Sequence, residues 1–393
     1  MQLFDMNLLD ELMHTVSILS SPFSVIPFHN FVILPGFADV HVHLREPGFS
    51  YKETVESGTM AAAKGGYTAV CSMPNLSPVP DSLSHLKQET SLIEEGANVS
   101  VYPYGSITVG QMGEALSDME ALAPFVAGFS DDGRGVQDDA MMEAAMRKAK
   151  ALGKLIVAHC EVNRLLDGGY IHDGAYAKAH GHMGISSASE YEQIKRDIAL
   201  LRKTGASEHI CHVSTKESVA AIRAAKAEGL NITAETAPHY LVLDENDLEE
   251  DGRFKMNPPL RAKEDREALL LGIKDGTIDM IATDHAPHSA EEKSRGLEKS
   301  AMGVVGLETA FPVLYTELVR TGFLSLEELM VLMSKNPHER FSLSLDGFSV
   351  WDLNACYEIN PNEFCSKGRA TPFAGRQVYG RCVLTVYKGK PIV

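Results

Sequence analysis

Between residues 34 and about 320, short apolar runs alternate regularly with longer amphipathic segments, and this alternation limits the possible folds more than any other feature. The strand-like runs lie at residues 36–43, 67–73, 99–105, 125–129, 155–159, 209–213, 232–237 and 279–283. Helical patterns occupy residues 51–64, 82–95, 113–122, 138–152, 187–204, 216–228, 263–275 and 307–320. Near-continuous apolar strands that alternate with helices indicate parallel strands buried on both faces.

Eight such units predict an α/β fold, specifically a (β/α)8 TIM barrel. A doubly wound open sheet is the alternative, and it is disfavoured because no strand-like run is followed by a glycine-rich phosphate loop. The predicted organisation is an N-terminal accessory segment at 1–33, the barrel at 34–342 and a C-terminal accessory β segment at 343–393. Residues 1–33 look irregular, and strand-like pieces occur at 348–353 and 381–387, so we expect a small, irregular accessory β element.

Charge and hydropathy restrict the function. The formal net charge of −17 argues against nucleic acid or an anionic membrane as a partner, because phosphate binding needs a basic surface. No apolar run reaches the roughly 20 residues of a membrane-spanning helix, and the N-terminus lacks the pattern of a signal peptide. The six cysteines have no CxxC spacing, and Cys160 and Cys211 lie in apolar runs, which favours core positions in a reducing compartment. The sequence therefore predicts a cytoplasmic enzyme.

Polar residues gather where the strand-like runs end. The first run contains His41 and His43, which are two residues apart and so share one face of a strand. Further runs end near Asp131–Asp132, at His159, at His212 and at Asp284. The C-terminal ends of barrel strands converge on one face, where active sites form. Four imidazoles with carboxylates make a nitrogen and oxygen ligand set that suits Zn²⁺.

These residues are sufficient for two metal ions. One ion would take His41, His43 and Asp284, the second would take His159 and His212, and Asp132 would bridge them. Two metals about 3.5–4 Å apart can share a hydroxide and polarise a carbonyl group. Asp284 can then accept the proton of the attacking water and return it to a leaving nitrogen.

Together these motifs resemble those of the dihydroorotases of the amidohydrolase superfamily, and more narrowly the type I bacterial group. The resemblance covers about residues 34–340 and the tail at 368–373. It is carried by His41-Val42-His43-Leu44-Arg45-Glu46-Pro47-Gly48, Met73-Pro74-Asn75, Asp131-Asp132-Gly133, Ala158-His159-Cys160-Glu161, His212-Val213-Ser214 and Asp284-His285-Ala286-Pro287-His288. It implies a binuclear zinc enzyme that interconverts N-carbamoyl-L-aspartate and L-dihydroorotate in pyrimidine biosynthesis.

The bridging position separates this chain from its relatives. Hydantoinases, dihydropyrimidinases and allantoinases usually bridge the metals with a carboxylated lysine on the fourth strand, whereas this chain has Asp131-Asp132 there. Asp132 matches the lysine position when Gly133 is aligned, and Asp131 would alternate to the opposite side of the strand. Asp131 as the bridging residue remains the alternative.

Arg45 is the second discriminating residue. If the strand persists past His43, Arg45 lies on the same side, where its guanidinium can bind a carboxylate in bidentate fashion. Dihydroorotate carries such a carboxylate, and hydantoin and allantoin do not. The resemblance implies these substrate contacts: His43, Arg45, Asn75, Asn257, His288, Met302 and Gly303. Glu161 matches the family without an assigned role, and a contact to a ligand histidine is one possibility.

The resemblance also implies a homodimer and an association with aspartate transcarbamoylase. Two other functions stay open: a hydantoinase-type or allantoinase-type cyclic amidase, and an inactive dihydroorotase-like partner of the transcarbamoylase. An inactive partner should have lost metal ligands, whereas this chain retains the complete set. The long connections at 242–261 and 284–304 are expected to carry function because they follow the seventh and eighth strands.

Overall fold

Parallel pairing joins the predicted runs in their order along the chain. In the computed structural model, which describes residues 11–15 and 22–393, three strands form one sheet: β3 (Phe37–Val42), β4 (Tyr67–Ser72) and β5 (Ser100–Pro103). Four more form a second sheet: β6 (Ile156–Ala158), β9 (Glu208–Ile210), β10 (Ile232–Thr236) and β11 (Met280–Ile281). The α/β class is therefore confirmed.

Isolated parallel bridges connect the two sheets. Phe129, in the fourth predicted run, bridges to Gly105 on one side and to Ile156 on the other. On the far side, Val42 at the end of β3 bridges to His285 just beyond β11. Pairing thus returns from the eighth segment to the first, and the C-terminal ends of these segments lie close together.

Helices cover the connections between the strands. The longer ones are Val55–Lys64, Leu83–Gly96, Asp139–Ala151, Ala188–Thr204, Lys216–Ala227 and Lys263–Asp275. Short ones are Met119–Leu122, Ala175–His180, Pro238–Val242, Ala290–Lys293, Gly296–Lys299, Ala310–Leu314, Leu326–Met330 and Asn336–Phe341. π-Helical turns at Tyr315–Val319 and Val331–Lys335 continue two of these. Short 3-10 turns lie at Val109–Gln111, Ala123–Phe125, Asn163–Leu165, Glu245–Asp247, Gly252–Phe254 and Pro361–Glu363.

The helix predicted at 113–122 is wrong over its first half, since only Met119–Leu122 is helical. Gly113 adopts φ 75°, outside the helical region, and Thr108 bridges to Leu116 in antiparallel fashion. The side chain of Asp118 accepts a hydrogen bond from the Ala121 amide and so fixes the start of the helix. The amphipathic pattern alone did not reveal this capping residue.

The accessory β element is larger and more regular than the sequence predicted. β1 (Ile26–Phe28) and β2 (Phe31–Pro35) form an antiparallel hairpin whose turn contains His29 at φ 54°. β2 pairs with β12 (Gly347–Glu358), which pairs with β13 (Gln377–Tyr387) and then β14 (Lys390–Pro391), giving a five-stranded sheet. A further strand pair, β7 (Ile171–His172) and β8 (Gly184–Ile185), lies in the connection after β6. β2 crosses the predicted boundary at residue 33.

The hairpin was missed because its turn is unusual. Asn is a common turn residue and tolerates positive φ, but here the histidine before it takes the positive φ. The hairpin is held by a separate apolar cluster rather than by local sequence preference. This cluster contains Leu12, Phe28, Ile33, Phe348, Val350, Leu384 and Val386.

The interior between the strands is filled by small and large apolar side chains from several segments. Ala38, Ala69, Val157 and Ala282 belong to one buried cluster, which also contains Cys71 and Cys211. Cys160 is buried as well, so the prediction that Cys160 and Cys211 are core residues is confirmed. No helix in the described part of the chain is long and apolar enough to cross a bilayer.

Candidate metal centre

The six predicted metal ligands meet at the C-terminal ends of the parallel segments. His41 lies on β3, and His43, Asp132, His159, His212 and Asp284 follow the ends of their segments. All six side chains are buried. His212 and Asp284 have positive φ angles of 35° and 47°, which residues other than glycine rarely adopt. β9 and β11 end two and three residues before His212 and Asp284, and the chain turns at these two residues.

Asp132 lies at the centre of the cluster. Its Oδ1 is 3.4 Å from His41 Nε2, 3.6 Å from His159 Nδ1 and 3.7 Å from His212 Nε2. Its Oδ2 is 3.5 Å from His43 Nε2. Asp132 thus belongs to two groups of three possible ligands, one with His41 and His43 and the other with His159 and His212. One carboxylate shared between two histidine pairs is the arrangement of a bridging ligand.

Asp284 approaches only one of the two histidine pairs. Its Oδ1 is 3.2 Å from His43 Nε2 and 3.5 Å from His41 Nε2. Burial acts to raise the pKa of Asp284, but the hydrogen bond with His43 and the neighbouring imidazoles hold it below its usual value. Burial likewise acts against ionisation of Asp132, yet the surrounding histidines lower its pKa well below the ordinary range. Both groups are therefore anionic.

The donor atoms fit divalent cations. His41 Nε2 and Asp132 Oδ1 are buried and have no hydrogen-bond partner within the described residues. His159 Nδ1 and His212 Nε2 lie only 2.9 Å apart and point at the same carboxylate. Buried polar atoms are normally satisfied, so convergent unsatisfied donors and acceptors indicate a missing partner. Imidazole nitrogens with carboxylate oxygens are ligands that Zn²⁺ prefers.

Asp131 points away from the cluster. Its carboxylate accepts hydrogen bonds from the Ile107 and Thr108 amides, at 2.8 and 3.1 Å, and from the Thr108 hydroxyl. The chain turns at Asp132 instead of continuing as a strand, and the two neighbouring carboxylates point in different directions. The geometry thus places Asp132, and not Asp131, among the histidines.

Glu235 on β10 is a site residue that the sequence argument missed. Its Oε1 is 2.7 Å from His41 Nδ1, and its Oε2 is 2.9 Å from His209 Nε2. This contact fixes the His41 ring with Nε2 towards Asp132, which is how outer carboxylates orient metal-binding imidazoles. The sequence did contain a sign of this role. Glu235 lies inside the apolar run 232–237, and a buried glutamate needs a charged or polar partner.

The predicted substrate contacts line the same cavity, which has a volume of about 240 Å³. Its walls include His43, Arg45, Asn75, Asn257, His288, Met302 and Gly303, together with Asp132, Gly133, His159, His212, Asp284 and Ala286. The structure therefore brings every predicted substrate contact to the metal ligands.

Arg45 reaches this cavity by a different route from the predicted one. β3 ends at Val42, so the strand does not persist, and Arg45 itself has φ 62°. Its Nε donates to the Pro287 carbonyl at 3.2 Å, and its Nη2 is 3.4 Å from His288 Nε2. The turn, rather than strand alternation, aims the guanidinium at the cavity.

Two asparagines present unsatisfied acceptors beside Arg45. Asn75 Nδ2 donates to the Asp132 carbonyl at 2.7 Å, and Asn257 Nδ2 donates to Glu161 Oε1 at 2.8 Å. The Oδ1 atoms of both asparagines are buried and have no partner among the described residues. Glu161 Oε2 is also 3.6 Å from His159 Nε2, so Glu161 connects a substrate-side residue with a ligand histidine. The cavity can therefore accept hydrogen bonds from the N–H groups of a ligand.

His288 completes the wall and is neutral. Its Nε2 is 2.8 Å from the Met302 carbonyl, and Lys52 Nζ is 3.2 Å from its Nδ1. Burial, together with the positive charges of Arg45 and Lys52, lowers the pKa of His288 to about 3. Arg45 is thus the cation directed at the cavity, and His288 is a neutral hydrogen-bonding group.

The chain is similar to known proteins in sequence and in fold. A family model described as dihydro-orotase-like matches residues 30–218. A dihydroorotase from Bacillus cereus (strain AH820) is 50% identical over 376 residues, covering 93% of this chain and 88% of that protein. A dihydroorotase from Bacillus cytotoxicus is also 50% identical, with the same coverage.

Two solved structures have a similar fold. An L-hydantoinase (dihydropyrimidinase) from Arthrobacter aurescens has a TM-score of 0.81 at 25% identity, covering 91% of this chain and 84% of that chain. A D-hydantoinase (dihydropyrimidinase) from Thermus sp. has a TM-score of 0.78 at 26% identity, with the same coverage.

Proposed function

Because the chain belongs to the dihydroorotase family and is a cyclic amide hydrolase of pyrimidine biosynthesis, we propose that it works as a type I enzyme with two zinc ions. Its reaction is the reversible cyclisation of N-carbamoyl-L-aspartate to L-dihydroorotate. The observation that carries the proposal is that one carboxylate, Asp132, is shared by two histidine pairs and faces the same cavity as Arg45.

The proposal includes the fold and the ligand assignment. The eight successively paired segments form a closed (β/α)8 barrel, which the Val42–His285 bridge supports by joining the last segment to the first. His41 and His43 with Asp284 would hold one zinc ion, His159 and His212 would hold the other, and Asp132 would be shared between the two. Asp132 is supported as the bridge by its distances of 3.4–3.7 Å to all four imidazoles.

When bound, the two cations supply Lewis-acid activation of water and of the amide carbonyl. Asp284 does the proton transfer: in the hydrolytic direction it accepts a proton from the attacking water and delivers it to the departing ring nitrogen. In the synthetic direction the same group takes the proton from the ureido nitrogen as the ring closes.

The remaining wall selects the substrate. Arg45 binds the carboxylate of dihydroorotate, and His288, which is neutral, leaves that charge to the guanidinium. The free Oδ1 atoms of Asn75 and Asn257 accept from N–H groups of the ring. The main chain at Met302 and Gly303 closes the wall beside His288.

The deciding experiment measures metal content and substrate preference together. Purified enzyme should contain about two zinc ions per chain, and its kcat/KM for dihydroorotate should exceed that for hydantoin or dihydrouracil by at least about 100-fold. An uncharged ring would leave the Arg45 guanidinium without its carboxylate partner, and the cost of this accounts for such a ratio. A preference for an uncharged ring would indicate a hydantoinase-type amidase instead. Less than one zinc per chain with no turnover would indicate the inert partner of aspartate transcarbamoylase.

The proposal also covers the division of the chain into segments, its cellular compartment and its protein partners. The chain divides into accessory segments at 1–33 and 343–393 around the barrel at 34–342, with the accessory strand β2 continuing past the first boundary to Pro35. The six cysteines are all free, which supports a reducing compartment such as the cytoplasm. We also propose a homodimer and an association with aspartate transcarbamoylase. Light scattering of the enzyme alone tests the first, and light scattering of the enzyme mixed with the transcarbamoylase tests the second.

A further inference from the structure

Lys293 is a buried lysine in the connection that follows β11, and burial lowers the pKa of its side-chain amine to about 7. Its ammonium group donates to three main-chain carbonyls: Gly303 at 2.7 Å, Ala301 at 2.8 Å and Lys255 at 2.9 Å. An ammonium has three N–H donors, so each donor has one acceptor. Lys293 forms no ion pair with a carboxylate among the described residues, although its side chain is almost fully buried. Its three bonds are therefore all to the backbone of loops.

The loops that Lys293 joins are the ones that carry the substrate-side wall. Gly303 lines the cavity, and the Lys255 carbonyl lies two residues before Asn257, which also lines it. The Gly303 amide donates to the same Lys255 carbonyl at 3.0 Å, so this carbonyl holds both Lys293 and the loop. Two segments about 40–50 residues apart in sequence thus meet at one ammonium group.

The loop has little freedom around this point. Gly303 has φ 130°, and a Cβ there would lie 2.8 Å from the Cβ and carbonyl of Ala286. The Ser300 hydroxyl donates to the Lys293 carbonyl at 3.0 Å, and the Ala301 amide donates to the Glu292 carbonyl at 2.9 Å. Without the ammonium group, the Ala301 and Gly303 carbonyls would lose this donor, and of the contacts named above only the Gly303–Lys255 main-chain hydrogen bond would still join the two loops. The loop at 301–303 would therefore be held less firmly against the loop at 255–257.

We propose that Lys293 is a positioning residue for the substrate: by joining the loop at 301–303 to the loop at 255–257, it sets the wall that binds the ring. The proposal rests on the proposed function, since it assigns the wall to dihydroorotate. Lys293 does not touch the cavity itself, because it is absent from the lining. It acts through the position of the Met302–Gly303 main chain and of Asn257.

The test is Lys293→Met, which keeps the length of the side chain and removes all three donors. We expect KM for dihydroorotate to rise at least about 10-fold and kcat to change by less than about threefold, because the lost interactions orient bound substrate rather than the reacting groups. Zinc content should stay at the wild-type value. Amide exchange should become faster in 301–304 and stay unchanged in 232–236, which forms β10.

Lys299→Met is the matched control, since it makes the same chemical change at an exposed position of the same connection. Equal KM values for the two variants, or faster exchange without a change in KM, would overturn the proposal. If Lys293→Met does not fold, Lys293→Arg should show the same rise in KM, because a planar guanidinium cannot direct one N–H at each of the three carbonyls. A wild-type KM for Lys293→Arg would then overturn it.

The experiment separates this inference from the proposed function. If the wild-type enzyme turns over hydantoin but not dihydroorotate, the proposed substrate is wrong, and the KM of the substrate that it does use decides the role of Lys293. If the wild-type enzyme uses dihydroorotate but the Lys293 variants have the same KM as Lys299→Met, the proposed function stands and the positioning role fails.

Discussion

The two walls of the cavity are built in different ways. On the metal side, each ligand lies on a strand or within a few residues of its end, and main-chain pairing between neighbouring segments fixes its position. On the substrate side, Asn257, His288 and Gly303 lie in long connections after β10 and β11. Those connections are held by individual hydrogen bonds, such as the three from Lys293 and the 2.8 Å contact between His288 Nε2 and the Met302 carbonyl.

Because of this difference, we expect the metal side to determine the reaction and the loop side to determine the substrate preference. Ligands on paired strands are held by the fold as a whole, so the metal geometry can stay constant while the loops vary. Two hydantoinases share the fold of this chain at 25–26% identity. Substitutions on the metal side should therefore remove activity, and substitutions on the loop side should change KM and preference.

The largest effect is expected at Asp132. Asp132→Ala should lower kcat/KM by at least about 1000-fold and reduce zinc to below one ion per chain, because both histidine pairs lose their shared anionic ligand. Metal analysis by mass spectrometry and a dihydroorotate assay measure the two results.

Asp131→Ala is the neighbouring control. It removes the acceptor of the Ile107 and Thr108 amides, so it should lower the melting temperature but keep both zinc ions. The opposite pattern, with zinc lost only from Asp131→Ala, would make Asp131 the bridging residue and contradict the geometry.

The metal side could be predicted from the sequence because strand ends are readable. His41, His159, His212 and Asp284 each lie on or next to an apolar run, and eight such runs imply that the ends converge. Asp132 was preferred over Asp131 by assuming strand alternation, whereas in the structure the chain turns at Asp132. Glu235 was missed because its role depends on a contact with His41, which is 194 residues away.

On the loop side, the sequence predicted which residues line the cavity but not how the chain places them. The resemblance identified Asn257, His288 and Gly303, but no periodicity places residues in long connections. Arg45 reached the cavity through a turn with positive φ, whereas the prediction relied on a longer strand. Lys293 gave no signal, since a lysine in a charged stretch looks exposed until its three carbonyl partners are known. The accessory hairpin was also not predicted, because the apolar residues that pack against it come from the C-terminal strands.

The next largest effect is expected at Arg45. Arg45→Ala should raise KM for dihydroorotate by about 100-fold, which corresponds to roughly 2.7 kcal/mol for a charge-assisted pair, and should leave zinc content unchanged. Steady-state kinetics and metal analysis measure both. Arg295→Ala is the control, because Arg295 is exposed and pairs only with Glu291 of its own connection among the described residues. Loss of zinc from the Arg45 variant would assign Arg45 to the metal side and remove the distinction between the walls.

The smallest effect is expected from the neutral state of His288. The pKa of His288 is about 3 in the folded protein against an ordinary value of 6.5, so between these values the unfolded chain binds more protons. This residue's contribution to stability is therefore fully present above pH 6.5 and is lost progressively as the pH falls towards 3. At pH 5 the loss is about 2 kcal/mol, because one pKa unit corresponds to about 1.4 kcal/mol.

His288→Gln removes this titration and keeps a neutral hydrogen-bonding group. The difference in unfolding free energy between variant and wild type should therefore shift in favour of the variant by about 2 kcal/mol between pH 7.5 and pH 5. Both proteins are measured as metal-free apoenzymes, so that release of zinc at low pH does not contribute. A difference that stays constant with pH would mean that His288 is protonated beside Arg45. The substrate wall would then hold two cations, and the carboxylate would no longer depend on Arg45 alone.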